Sequence, residues 1–232
     1  MQLYGKGLLM TFTEVPPELE ADFNEWYNRE HLDERINIPG FRRARRYEGI
    51  DAGIKYFTTY EAAASENIAS PAYLDVLKEP SAWSNAIMPQ FSKWHRMTCR
   101  VVADHTRGMG AALTLLRLFP DPAKADDLAA WLNDGALAEL NTAPGIVGSC
   151  AASVDLDADA RLAGAFAQTT DPDQNVEWAV LVEGTDGEIT TATARDYLSE
   201  RLTVAALPGT ELVVETYKFM YGNLRNSDDE IA

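Results

Sequence analysis

The sequence predicts an α+β protein made of two fused βαββαβ units, and three observations predict it. The composition is that of an ordinary globular chain, with 232 residues, 46% hydrophobic and 24% charged, enough to bury a core. A helix-and-turn segment recurs without gaps 105 positions on: Asp22 falls on Asp127, Trp26 on Trp131, Asn28 on Asn133, Leu32 on Leu137, Glu34 on Glu139, and Pro39-Gly40 on Pro144-Gly145. Read by periodicity, each half then yields the same order of elements.

In the first half, residues 7–13 (GLLMTFT) read as a strand. Residues 17–32 read as a helix opened by Pro and acidic side chains, and the Pro-Gly turn leads into a strand at 41–48. Residues 55–61 alternate as a third strand. Residues 71–78 and 82–91 are helical with breaks at Pro80 and Pro89, and 95–103 is the last strand. After a linker at 106–110, the second half places strands near 111–119, 146–155, 177–183 and 211–221, and helices near 123–140 and 190–206. The acidic stretch 155–175 reads as a long mobile loop.

Such a unit is a ferredoxin-like fold, a four-stranded antiparallel sheet with two helices on one face. Its bare apolar face demands a cover. Two fused units supply one to each other by packing sheet on sheet about an internal pseudo-two-fold axis. The expected division is therefore a first unit at 1–105 and a second at 106–232, like a dimeric α/β-barrel made into one chain.

Charge narrows the partners. Twenty Lys and Arg stand against 36 Asp and Glu, and the net charge of −16 repels phosphate backbones and anionic lipid, so neither nucleic acid nor membrane is an expected partner. No apolar run is long enough to span a bilayer and no leader pattern opens the chain, which makes the cytoplasm the expected compartment. Cys99 and Cys150 belong to no CxxC, HExxH or Cys/His cluster, so both read as buried reduced thiols and no metal site is expected. With no GxGxxG or P-loop either, the residues call for no cofactor.

The run NEWYNREHLDERINIPGFRRARRYEG, residues 24–49, resembles the EthD-like branch of the dimeric α/β-barrel superfamily. There a first helix rich in aromatics ends in a Glu-His pair and leads through a Pro-Gly turn into the second strand. Members of the wider superfamily include cofactor-free monooxygenases, polyketide cyclases, lactone isomerases, aldoxime dehydratases and haem proteins, so the resemblance implies the fold far more than the reaction.

Comparison of the halves singles out the chemistry. At the shared offset Tyr27 becomes Leu132, Glu30 becomes Gly135 and His31 becomes Ala136, so three proton-transfer groups vanish together while the framework stays. All three histidines lie in the first half, and the second reads as a degenerate scaffold. On a wheel of about 100° per residue Glu30 shares the sheet-facing arc of Leu19, Phe23 and Trp26, with Tyr27 and His31 on its flank. His31 and Glu30 are the expected catalytic pair, with His95 the second histidine candidate. The plainer alternative makes His31 a helix-end residue favoured by the macrodipole and pairs Glu30 with an arginine.

The strand at 41–48 puts Arg43, Arg45 and Tyr47 on one face. They are either the charged guard of an edge strand or holders of an anionic substrate group. Tyr56 and Tyr60 of the next strand join Tyr27 as expected lining for a small aromatic or carbonyl-containing substrate. The leading expectation is a cofactor-independent lyase, isomerase, dehydratase or cyclase using His31 as acid or base. The alternatives are a haem-binding or oxygen-dependent monooxygenase of the same fold, and a non-catalytic ligand-binding module. Further homo-oligomerisation stays open.

Overall fold

The structure, a computed structural model, describes residues 3–163 and 176–225. Eight strands carry it: β1 (Gly7–Glu14), β2 (Phe41–Asp51), β3 (Tyr56–Ala62), β4 (Lys93–Asp104), β5 (Ala112–Leu118), β6 (Ile146–Val154), β7 (Trp178–Gly184) and β8 (Val213–Leu224). They close into one antiparallel barrel in the order β1-β3-β2-β8-β5-β7-β6-β4. The first four strands thus run β4-β1-β3-β2 and the last four β8-β5-β7-β6, with β2 on β8 and β4 on β6 as the seams. Closure leaves no sheet edge among the described residues, which is how this chain covers the two apolar faces. Bulges fall in both seams, between Arg46 and Tyr47 and between Val101 and Ala103.

Alternation along each strand sorts side chains between interior and helices. Leu8, Met10, Phe12, Phe57, Met97, Leu113, Leu115, Leu181 and both free cysteines fill the barrel. Leu9, Ala44, Tyr56 and Tyr60 face outward onto the first helical layer, α1 (Glu20–Trp26), a π turn at Tyr27–His31, α2 (Leu32–Ile36), α3 (Ser65–Ile68), α4 (Pro71–Lys78) and α5 (Ala82–Ile87). The other half of the barrel is covered by α6 (Ala125–Trp131), a second π turn at Leu132–Ala136, α7 (Leu137–Leu140) and α9 (Gly187–Ala205). Gly40 and Gly145, which end the two Pro-Gly turns, have φ of 95° and 83°, a region that favours glycine.

Several expectations are corrected. Strand β2 is no edge strand, since β3 and β8 pair with it on both sides. Its Arg43, Arg45 and Tyr47 point into the barrel, where Glu61 takes Arg43 at 2.7 Å and Arg45 at 3.3 Å, and Glu183 of β7 takes Arg45 from the other half. Residues 156–163, expected in a loop, form α8 (Leu156–Ala163), because Asp155 Oδ1 accepts from the Ala158 N–H and caps it. The rest of that expected loop, 164–175, lies outside the described residues. Trp131 is only partly buried and lies under Arg201, unlike the fully buried Trp26. Among the described residues no helix is long and apolar enough to cross a membrane.

Candidate functional site

The π turn at Tyr27–His31 decides which side chains meet the sheet. An i→i+5 turn advances each residue by only about 80°, so a wheel drawn at about 100° goes out of phase after Trp26. Tyr27 and His31 are buried as a result, while Glu30 swings away from the sheet and accepts a hydrogen bond from Ser81 Oγ at the start of α5. Glu30 is thus separated from the cleft that His31 lines.

That cleft lies between the first helix and the sheet. Thr11 and Tyr60 of the strands, Tyr27, His31 and Arg35 of the helix, and Trp94 and Arg96 of β4 form its polar wall. Leu9, Trp26, Tyr73, Leu77, Met88 and Phe91 complete it, enclosing about 40 Å³ within a more open groove. His31 is wedged among rings, with centroids 4.1 Å from Trp26, 5.0 Å from Tyr27 and 6.5 Å from Tyr60. Trp26 Nε1 is anchored on Ser84 Oγ at 3.1 Å. Burial, and then the charges of Arg35 and Arg46, hold the imidazole well below its ordinary pKa, so it is neutral near pH 7. His31 Nδ1 finds no hydrogen-bond partner, and its nearest carboxylate, Glu34, is 3.8 Å away. Burial likewise pushes the hydroxyls of Tyr60 and Tyr73 upward.

Arg46 supports this wall from behind. Its guanidinium lies 4.0 Å over the Tyr27 ring and donates to Asn24 and Asn28, each at 2.9 Å. Tyr56 donates to Glu20 at 2.8 Å and receives Asn24 at 3.1 Å, which ties it to the start of α1 and keeps it out of the cleft. Strand alternation sends His95 to the opposite face from Trp94 and Arg96, into the mouth of the barrel. There its Nε2 sits 3.2 Å from Glu177, which Arg117 also holds at 2.9 Å.

Of the expected site residues, the structure brings together His31, Tyr27 and Tyr60, and not Glu30, His95, Arg43, Arg45, Tyr47 or Tyr56. Sequence reasoning missed Arg35, Arg96, Thr11 and Tyr73. Arg35 had a readable signal, four residues after His31 and so on the same face of the next turn. Thr11 opposite Arg96 depends on the β1–β4 register, which a single sequence does not show.

In the second half Leu132 and Ala136 are packed into apolar core at the matching positions. A larger hollow of about 370 Å³ lies elsewhere there, at the start of α6, lined by Arg100, Pro120, Ala125 and Trp178 among others. Among the described residues no three His, Cys, Asp or Glu side chains converge on a metal position. The enclosed space beside His31, about 40 Å³, holds only a few atoms of a ligand, so a porphyrin has no enclosed seat there, and any ring system reaches the imidazole from the open groove.

Comparison with known proteins defines the class of fold. No family profile and no curated protein matches the sequence. Among solved structures, an anthrone oxidase-like protein aligns over 100% of this chain and 99% of its own at a TM-score of 0.68 and 12% identity. A protein named as a monooxygenase from Fusobacterium nucleatum aligns over 96% of both chains at 0.57 and 12%. A heme-binding protein from Thermus thermophilus covers 95% and 93% at 0.54 and 11%. At such identities the likeness shows the fold alone, an α+β barrel of the ferredoxin-like, dimeric α/β-barrel kind. The expectation of a lyase, isomerase, dehydratase or cyclase is corrected: the neighbours of this fold are named for oxidase, monooxygenase and heme-binding roles, and none of those cited for a lyase or isomerase.

Proposed function

We propose that the chain oxidises a small aromatic, carbonyl-bearing substrate with molecular oxygen in the His31 cleft. The observation that carries this reading is a buried, neutral imidazole with an unpartnered Nδ1, on the wall of an aromatic cleft with cationic groups around it. A methylene activated by a neighbouring carbonyl and ring gives up a proton to His31. The carbanion so formed is delocalised onto the carbonyl oxygen, where the positive field of Arg35 and Arg46 and the Thr11 hydroxyl favour negative charge. Those same charges keep His31 neutral beforehand, and the substrate's negative charge offsets them as the imidazole takes up the proton. Oxygen accepts electrons from the carbanion and a C–O bond forms. His31 returns its proton to the peroxide anion and then takes the second C–H proton as the O–O bond breaks, leaving a new carbonyl and hydroxide, which the imidazolium protonates to water. Overall R₂CH₂ and O₂ give R₂C=O and H₂O, the substrate supplying all the electrons.

Anthrone is the first probe, chosen for the name of the anthrone oxidase-like neighbour. Oxygen uptake on adding anthrone is expected from the intact chain and not from His31→Ala. Equal uptake by both overturns the role of His31.

We also infer that the chain is a tandem fusion of two ferredoxin-like units meeting near 105/106, with the EthD-like resemblance confined to the first. Support comes from the π turns and the positive-φ glycines, both 105 residues apart, and from the matching strand orders.

A further inference from the structure

We infer that the cleft holds a carboxylate borne by the substrate, between the guanidinium groups of Arg35 and Arg96. The inference deepens the proposed oxidation and rests on that reading for the site being a substrate site. Arg35 and Arg96 come from different elements, α2 and β4, and both line this one small space with only 4% and 5% of their surface exposed. Among the described residues no Asp or Glu lines it with them. Two cations in a water-poor space repel each other, and an anion between them reverses that cost.

The surroundings hold the pair in place. Arg96 is set by Asp159 of α8 at 3.2 Å and by the Trp94 ring 5.7 Å away. Arg35 stands 5.7 Å from the Tyr73 ring, and its Nη1 meets Glu34 only at 3.5 Å, with no hydrogen bond formed. Thr11, the cross-strand partner of Arg96, has a hydroxyl with no hydrogen-bond partner. The donors present, two planar forks and a hydroxyl, match the lone pairs of a carboxylate. The enclosed 40 Å³ accommodates its three heavy atoms, at roughly 10–15 Å³ for each water-sized group. An aryl ring attached to it then lies in the open groove, on the side lined by Trp26 and Phe91.

The test is binding, read by the fluorescence of Trp26 and Trp94, with benzoate as the probe and benzamide as its neutral counterpart. Benzoate is expected to bind at least about tenfold more tightly than benzamide, the scale of charge-assisted hydrogen bonds. Arg35→Met and Arg96→Met are each expected to lose about tenfold, and Arg96→Lys less. Equal binding of benzoate and benzamide by the unaltered chain overturns the inference, whether or not the variants fold. So does wild-type benzoate affinity in Arg35→Met with native circular dichroism. Oxygen-dependent turnover of anthrone with no preference for benzoate removes the carboxylate and leaves the oxidation standing; benzoate selectivity without oxidation of any carbonyl substrate does the reverse.

Discussion

The His31 imidazole lies against the Trp26 indole with ring centroids 4.1 Å apart, and the π turn between them is what brings these two residues, five positions apart, onto one face. That packing shuts water away from the imidazole, while Arg35 and Arg46 add positive charge around it. The folded-state pKa is therefore well below the ordinary 6.5.

A pH dependence of stability follows. Below pH 6.5 the unfolded chain binds a proton at this histidine that the folded chain refuses, so stability is fully present above 6.5 and is lost as pH falls toward the depressed folded value. Urea denaturation at pH values about one unit above and below the ordinary histidine pKa is expected to show a smaller drop for His31→Gln than for the unaltered chain. Equal drops would show that His31 titrates normally.

Arg45 carries a second expectation. It joins Glu61 of β3 to Glu183 of β7 inside the barrel, all three side chains nearly inaccessible. Arg45→Met leaves Glu183 without its ion partner in an apolar interior and is expected to cost about 3–5 kcal/mol, as loss of one member of a buried pair does. The denaturant midpoint reports it. A change within about 0.5 kcal/mol would mean that the network contributes nothing net.

Glu30 gives the opposite kind of expectation. Because it bonds Ser81 at the cap of α5 and stands outside the cleft, Glu30→Gln should leave kcat/KM within about twofold and alter thermal stability only slightly. A loss of about 10²-fold or more, the range of a general base, would return Glu30 to the chemistry.

Much of this fold is legible in residue pattern, and much of the site is not. Alternation in 41–48, the paired Trp26 and Trp131, and the two Pro-Gly turns suffice for the strand-helix order of both halves. Periodicity also separates Arg43 and Arg45 from Arg46, but only the pairing of β2 with both β3 and β8 reveals that the first two face a closed interior instead of solvent or substrate. A π turn has no clear residue signature, so Glu30 and His31 exchange places relative to a regular wheel. Arg96, Thr11 and Tyr73 meet through long-range register and helix packing, which no local pattern encodes.

If oxygen reacts with substrate in the His31 cleft, ¹⁸O₂ supplied during anthrone turnover labels the product. One labelled oxygen atom is expected in the new carbonyl, captured before exchange with water, with one O₂ consumed per anthrone and a rate lowered about 10²–10⁴-fold in His31→Ala. Anthrone converted at the same rate under argon, or a product whose new oxygen comes only from water under conditions where the carbonyl does not exchange, would contradict it.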